Sequence, residues 1–326
     1  MKNKSFGVIG AGSWGTALVK MFSENLNSIN WYVRNKVILD GINENKRNLK
    51  YLRHVQLNTK KLNVSNDLYK IIEVSDILII AIPSPYIDST FENHKDLLKD
   101  KIIISASKGV VPKSQLVISQ HFHLNYSIKK TNLGIISGPC HAEEVALEKL
   151  SYLTVGVKRK ALGNYISENL KSKFIKTSVS TDIIGIEYSA TLKNIYSILV
   201  GISHGLGYGD NFLSVLISHC AKELKLFIRT IHQTKRDINH SAYIGDLLVT
   251  TYSTFSRNRT FGNMIGKGYS VKSAMSEMSM VVEGYYATKN AYEITKNKND
   301  HFLLIESVYK ILYNGNSPKK NVKRNF

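Results

Sequence analysis

Gly10-Ala11-Gly12-Ser13-Trp14-Gly15 stands directly after the apolar run Ser5–Ile9 and opens a stretch, Trp14 to Asn27, with apolar residues at helical spacing. A G-x-G-x-x-G group at a strand-to-helix junction has a mechanical meaning. The first glycine permits a tight turn, the second lets backbone approach a pyrophosphate, and the third lets helix and strand pack closely. The helix that begins there turns unpaired N–H groups and its positive dipole end toward phosphate. Gly10, Gly12 and Gly15 therefore predict a dinucleotide site.

Working outward, β-rich runs at Ile29–Val33, Ile77–Ile82, Lys101–Ser105, Leu133–Ser137 and Tyr152–Val157 alternate with helical patterns. Continuous apolar strands separated by helices belong to a parallel sheet covered on both faces. From about residue 181 the strand signals stop. Asp182 or Thr181 can cap a long helix running to about Gly201, and helical patterns continue through Leu213–His232 and Ser270–Thr295. The expected architecture is an α/β, Rossmann-like doubly wound sheet over residues 1–180, the dinucleotide-binding domain. An all-α domain for substrate and catalysis follows over residues 181–326, joined without a Pro/Gly linker.

The composition excludes several function classes. At 326 residues, 43% hydrophobic and 21% charged, the chain is globular rather than disordered. Cys140 and Cys220 form neither a CxxC pair nor a zinc-spaced cluster, so no disulfide framework and no metal site are expected. The formal net charge of +19 is spread over scattered lysines in a chain rich in Ile and Asn, the bias of an AT-rich genome. Nucleic-acid binding would cluster that charge with aromatics, and only the tail Lys319-Lys320-Asn321-Val322-Lys323-Arg324 forms a block. A small anionic substrate is compatible with a few placed cations. The run Ile77–Pro83 is strand-length, and Ile183–Ile202 carries Glu187 and Lys193, so membrane insertion is not expected. A cytoplasmic protein is the expectation, and the apolar helical second half is compatible with a homodimer.

Candidate chemistry lies at five further places. The second strand ends Tyr32-Val33-Arg34 with no acid, so Arg34 stands where a guanidinium can take a 2′-phosphate, which favours NADP(H) over NAD. Lys108-Gly109 follows a strand at its carboxyl end, where open α/β sheets bind ligands; on position alone it is equally a surface lysine. Gly138-Pro139-Cys140-His141-Ala142 makes a second turn that can present backbone N–H groups. Lys193-Asn194 sits inside an apolar helix, where a charge needs water or an acid. A lysine desolvated there has a lowered pKa suited to proton exchange with a carbonyl; the alternative is a lysine snorkelling at a helix edge. Gly245-Asp246 comes next, and then Ser256-Arg257-Asn258-Arg259, just ahead of the glycine-rich stretch Phe261–Gly268; this Ser-Arg-Asn-Arg group reads either as a phosphate-holding group or as a polar loop.

Together with Ser137-Gly138-Pro139, Leu192-Lys193-Asn194, Gly245-Asp246-Leu247 and Val282-Glu283-Gly284, these motifs resemble the bacterial NAD(P)-dependent glycerol-3-phosphate dehydrogenases, in order, from residue 7 to about 290. The resemblance implies NAD(P)H-dependent, reversible reduction of dihydroxyacetone phosphate to sn-glycerol 3-phosphate, feeding glycerophospholipid synthesis. It implies Lys193 as general acid/base, with Lys108 touching substrate and cofactor and Asp246 orienting the substrate and the lysines. Ser256, Arg257 and Asn258 would bind the substrate's phosphate end, with Gly138 and Cys140 also on the substrate. Ser13, Trp14, Arg34, Tyr51, Ala142, Arg257, Val281 and Glu283 would line the cofactor, NADP with NAD as an alternative.

Cys140 stands where the family usually has Ser or Thr, and Ser218-His219-Cys220 and Tyr243-Ile244 also depart from its pattern. Two other readings compete. One is a helical-tailed Rossmann dehydrogenase for a 3-hydroxy acid or acyl thioester, with no phosphate requirement. The other is a degenerate cofactor-binding protein without turnover.

Overall fold

Strands buried on both faces need apolar residues at every position, and four such runs build the centre of one sheet. The computed structural model describes residues 3–324. Its main sheet has eight strands: β1 (Phe6–Ile9), β2 (Ile29–Tyr32), β3 (Leu62–Ser65), β4 (Ile77–Ile80), β5 (Ile102–Ser105), β6 (Leu133–Ser137), β7 (Ser151–Val157) and β8 (Ile175–Ser180). They lie in the order β8-β7-β6-β5-β4-β1-β2-β3. β1, β4, β5 and β6 are buried throughout. The order reverses direction beside β1, so the carboxyl ends of β1 and β4 open the crevice where such sheets take ligands.

Two strands lie beyond the sequence reading. β3 and β8 are the sheet edges, read Leu-Asn-Val-Ser and Ile-Lys-Thr-Ser-Val-Ser, and are half-exposed, so their polar residues mask the strand signal. The expected all-parallel pairing also has one exception, because β6 and β7 run antiparallel with Gly134 opposite Val157. The only helix between them, Ala142–Ala146, covers ~7.5 Å at ~1.5 Å per residue. That is shorter than β6, so the chain enters β7 running back rather than crossing over.

The chain divides into two compact units, one holding the residues through Ser107 together with Leu116–Ile186, the other Lys108–Gln115 and the chain from Glu187 onward. Apart from the two-residue strand Val110–Val111, the described part of the second unit is helical: Ile183–Gly205 (from Glu187), Asp210–Ile231, Asp246–Tyr252, Arg257–Gly266, Val271–Glu277, Glu283–Thr295, Leu303–Asn314 and Pro318–Arg324. Asp182 caps the first, its Oδ1 accepting the Gly185 N–H at 3.1 Å. Every residue from 185 to 203 is buried, which makes this helix the axis of the unit. Glu223 braces the last long helix from within: its carboxylate accepts the Leu304 and Ile305 N–H groups at 2.8 and 3.0 Å. Burial pushes that carboxyl up to about 7 despite those bonds.

The stretch 256–268 is not a polar loop. It is the helix Arg257–Gly266, capped by Ser256, whose Oγ accepts the Arg259 N–H at 3.3 Å. Gly262 and Gly266 abut the carbonyls of Ile198 and Ile202, while Gly201 and Gly205 abut those of Arg259 and Asn263. Two glycine pairs spaced by four thus let two helices meet at backbone distance, where a methyl group would collide. The helix expected over Ser270–Thr295 is two helices, because Met278 turns to extended backbone before β-branched Val281 and Val282. No helix among the described residues is long and apolar enough to cross a membrane.

Candidate active site

In the sheet unit the glycine turn is held by geometry that only glycine permits. Gly10 has φ +120°, and a Cβ there would sit 2.6 Å from the Ala81 carbonyl oxygen; one on Gly15 would meet the Gly10 carbonyl. Gly12 differs, with no atom within 4 Å of where its Cβ would be. That open space lies at the N-terminus of the helix Ser13–Ser23, and the buried indole N–H of Trp14 has no hydrogen-bond partner. An open glycine and an unmatched donor beside free helix N–H groups fit a bound dinucleotide phosphate.

Two residues outside the sequence reading fix this turn. The Trp31 indole N–H donates to the Gly10 carbonyl at 2.9 Å from the middle of β2. Asn48, fully buried, donates to the Ala11 carbonyl at 2.9 Å and to Thr16 Oγ1 at 2.8 Å. Its own carbonyl accepts the N–H groups of Lys50 and Tyr51, which ties Tyr51 to the turn. A lone Asn in a polar stretch carries no spacing signal.

Arg34 is exposed two residues beyond β2, at the same end of the sheet as the turn. Ser13 begins the turn's helix, whereas Cys140 and Ala142 are buried in the core around Ile136 and Val155. Gly138, at φ +148°, packs against the Tyr152 carbonyl oxygen.

In the helical unit the buried charges gather. Lys193 Nζ bonds Asp246 Oδ1, with the two side chains 2% and 1% exposed. Asp246 starts its helix just after a π-helical turn, Ser241–Gly245. Lys108 is hydrogen-bonded to Lys193 and feels the carboxylates of Asp246 and Glu283 and the Arg257 guanidinium. Burial lowers the Lys193 pKa to about 7, the Lys108 ammonium adding to the effect and Asp246 opposing it. Lys108 moves the other way: burial works against its charge, but Asp246, its bond to Lys193 and Glu283 outweigh it. One ammonium and one readily deprotonated amine therefore stand near one carboxylate, Lys108 donating to Lys193 whenever that amine is neutral.

Around this pair stand the other polar groups of the unit. Asn194 donates to Glu283 Oε2 at 3.3 Å, and the Gly284 N–H donates to Asn258 Oδ1 at 3.0 Å. Exposed Arg257 reaches the Val281 carbonyl at 3.1 Å. The structure thus links Lys108, Lys193, Asp246, Arg257, Val281 and Glu283 within one unit. Ser256 and Asn258 are buried at the start of the Arg257 helix. Buried Ser197 and Thr250, absent from the sequence reading, join the same network; a hydroxyl in an apolar helix gives no periodic signal.

Comparison with known proteins agrees over nearly the whole chain. The family model for the NAD-dependent glycerol-3-phosphate dehydrogenase N-terminus matches residues 5–163, and that for the C-terminus matches residues 182–323. The glycerol-3-phosphate dehydrogenase (NAD(P)+) of Bacillus pumilus (strain SAFR-032) is 32% identical over 314 residues, 96% of this chain and 91% of that protein. The protein of the same name from Macrococcus caseolyticus (strain JCSC5402) is 33% identical over 318 residues, 97% and 96%. A crystal structure of glycerol-3-phosphate dehydrogenase from Coxiella burnetii has the same fold, with a TM-score of 0.92 at 24% identity over 99% of this chain and 98% of that one. A buried lysine–aspartate pair with Lys108 bonded beside it, a glycine turn open at Gly12 and two family models in sequence lead to one assignment: the chain belongs to the NAD-dependent glycerol-3-phosphate dehydrogenase family.

Proposed function

We propose that this protein reduces dihydroxyacetone phosphate to sn-glycerol 3-phosphate, reversibly and with NADPH as the favoured cofactor. The observation that carries the reading is the buried Lys193–Asp246 pair with Lys108 hydrogen-bonded beside it. Bound NADPH supplies the hydride. Lys193 gives its proton to the C2 oxygen as that oxygen becomes an alkoxide, and it ends the step as the neutral amine that its lowered pKa tolerates. Lys108 keeps its charge and stabilises the developing negative oxygen, while Asp246 holds both lysines. Arg257 meets the phosphate, beside Ser256 and Asn258, and Gly138 and Cys140 belong to the substrate set on the strength of the family pattern alone.

On the cofactor, Gly10, Gly12, Ser13, Trp14 and Gly15 hold the pyrophosphate, Arg34 the 2′-phosphate, and Tyr51, Lys108, Ala142, Arg257, Val281 and Glu283 complete the set. The same proposal includes residues 1–180 as the cofactor domain and 181–326 as the substrate domain. It also includes a cytoplasmic homodimer and a product used for glycerophospholipid synthesis.

Two substitutions test its parts. Arg257→Ala removes a charge-assisted phosphate contact and is expected to raise the KM for dihydroxyacetone phosphate by ~10–10²-fold. An unchanged KM would favour the hydroxy-acid or thioester reading. Because Arg34 is exposed with no acid beside it on its strand end, Arg34→Asp is expected to reverse the preference toward NADH. A constant NADPH/NADH ratio of kcat/KM would make Arg34 a plain surface residue.

A further inference from the structure

Ser197 lies four residues after Lys193, so it occupies the same face of the helix Ile183–Gly205 one turn on. Thr250 lies four residues after Asp246, one turn along the helix Asp246–Tyr252. The Lys193–Asp246 bond is one rung between these two helices. The second rung is a hydrogen bond from Ser197 Oγ to the Thr250 carbonyl at 2.9 Å. Thr250 Oγ1 in turn donates to the Asp246 carbonyl at 2.7 Å, which stiffens the turn between the rungs.

The same hydroxyl has a third neighbour, Ser256 Oγ, at 2.9 Å. A serine has one proton to give. Since a carbonyl cannot donate, Ser197 spends its proton on Thr250, and Ser256 must donate to Ser197. The remaining Ser256 lone pairs face the Arg259 N–H at 3.3 Å. The chain of bonds therefore has one direction: Ser256 to Ser197 to Thr250. Ser197 is 0% and Ser256 4% exposed, so water does not compete for these bonds.

We propose that Ser197 is a positioning residue for proton transfer, its hydroxyl locking the Lys193 helix in register with the Asp246 helix and drawing Ser256 in as a brace. This rests on the reading of Lys193 and Asp246 as the proton-transfer pair. Without the hydroxyl the Thr250 carbonyl and the Ser256 proton lose a buried partner, and the second rung disappears. The Lys193–Asp246 rung then carries the register alone, and Lys193 loses part of the carboxylate's support.

The test uses the full-length protein and four forms: wild type, Ser197→Ala, Ser256→Ala and the double variant. Ser197→Ala is expected to lower kcat ~10-fold, to leave the NADPH dissociation constant within twofold of wild type, and to move the pH midpoint of the reductive rate to lower pH. Ser256→Ala acts through the same chain, so the double variant is expected to be no slower than the slower single variant. A Ser197→Ala kcat within twofold of wild type would overturn the proposal. So would a loss of rate with an unmoved midpoint, which marks ordinary packing damage, or multiplicative effects in the double variant, which mark an independent role for Ser256. Wild-type protein without turnover of dihydroxyacetone phosphate would refute the underlying reading itself, an outcome visible before any variant is compared.

Discussion

Lys193→Ala is expected to lower kcat by ~10²–10⁴-fold, the range associated with loss of a positioned general acid, while NADPH still binds. The reason lies in where the side chain sits. It is 2% exposed, bonded to Asp246 and hydrogen-bonded to Lys108, so no water takes its place without rebuilding the pair. Its lowered pKa, about 7, fixes the pH dependence as well. Reduction consumes the protonated lysine, so the wild-type reductive rate falls as pH rises past about 7. Oxidation of sn-glycerol 3-phosphate needs the neutral amine, so that rate rises over the same interval. Steady-state kinetics in both directions from pH 6 to 9, with NADPH binding followed by fluorescence, checks the set. Wild-type-like turnover in the variant would remove Lys193 from the chemistry.

The second large effect is expected at Asp246. Asp246→Asn keeps the shape of the side chain and removes the carboxylate that opposes the downward push of burial and Lys108 on Lys193. The Lys193 pKa then falls further, and at pH 7 the lysine lacks the proton that reduction needs. We expect kcat at pH 7 to drop ~10²-fold and to recover in part as the assay is made more acidic. The reductive midpoint therefore moves to lower pH. A variant that is slow with an unmoved midpoint would mean that Asp246 holds substrate rather than tuning the lysine.

What the sequence makes legible follows burial. β1, β4, β5 and β6 are covered on both faces, and their unbroken apolar runs stand out. The edges β3 and β8 alternate with polar residues and are lost against their surroundings. The Arg257–Gly266 helix hides for another reason. Its polar first turn and its two glycines mimic a loop, yet those glycines are what let it touch the Ile183–Gly205 helix.

At the site, a charge inside an apolar helix draws notice to Lys193, since a buried one demands an acid, although a lysine snorkelling at a helix edge gives the same pattern. Which acid answers is a matter of tertiary structure, because Asp246 lies 53 residues away. Lys108 is harder still, since a strand-end lysine in a lysine-rich chain looks like any other. Ser197, Thr250 and Asn48 carry no pattern at all, and only their buried bonds reveal them.

The decisive measurement is NADPH oxidation with dihydroxyacetone phosphate, run beside unphosphorylated dihydroxyacetone on the purified protein. Turnover is expected to depend on the phosphate, because the proposed site sets Lys193, Lys108 and Arg257 to receive an anionic ketone. Bound NADPH without turnover of the phosphorylated ketone, or equal rates with and without the phosphate, would contradict it.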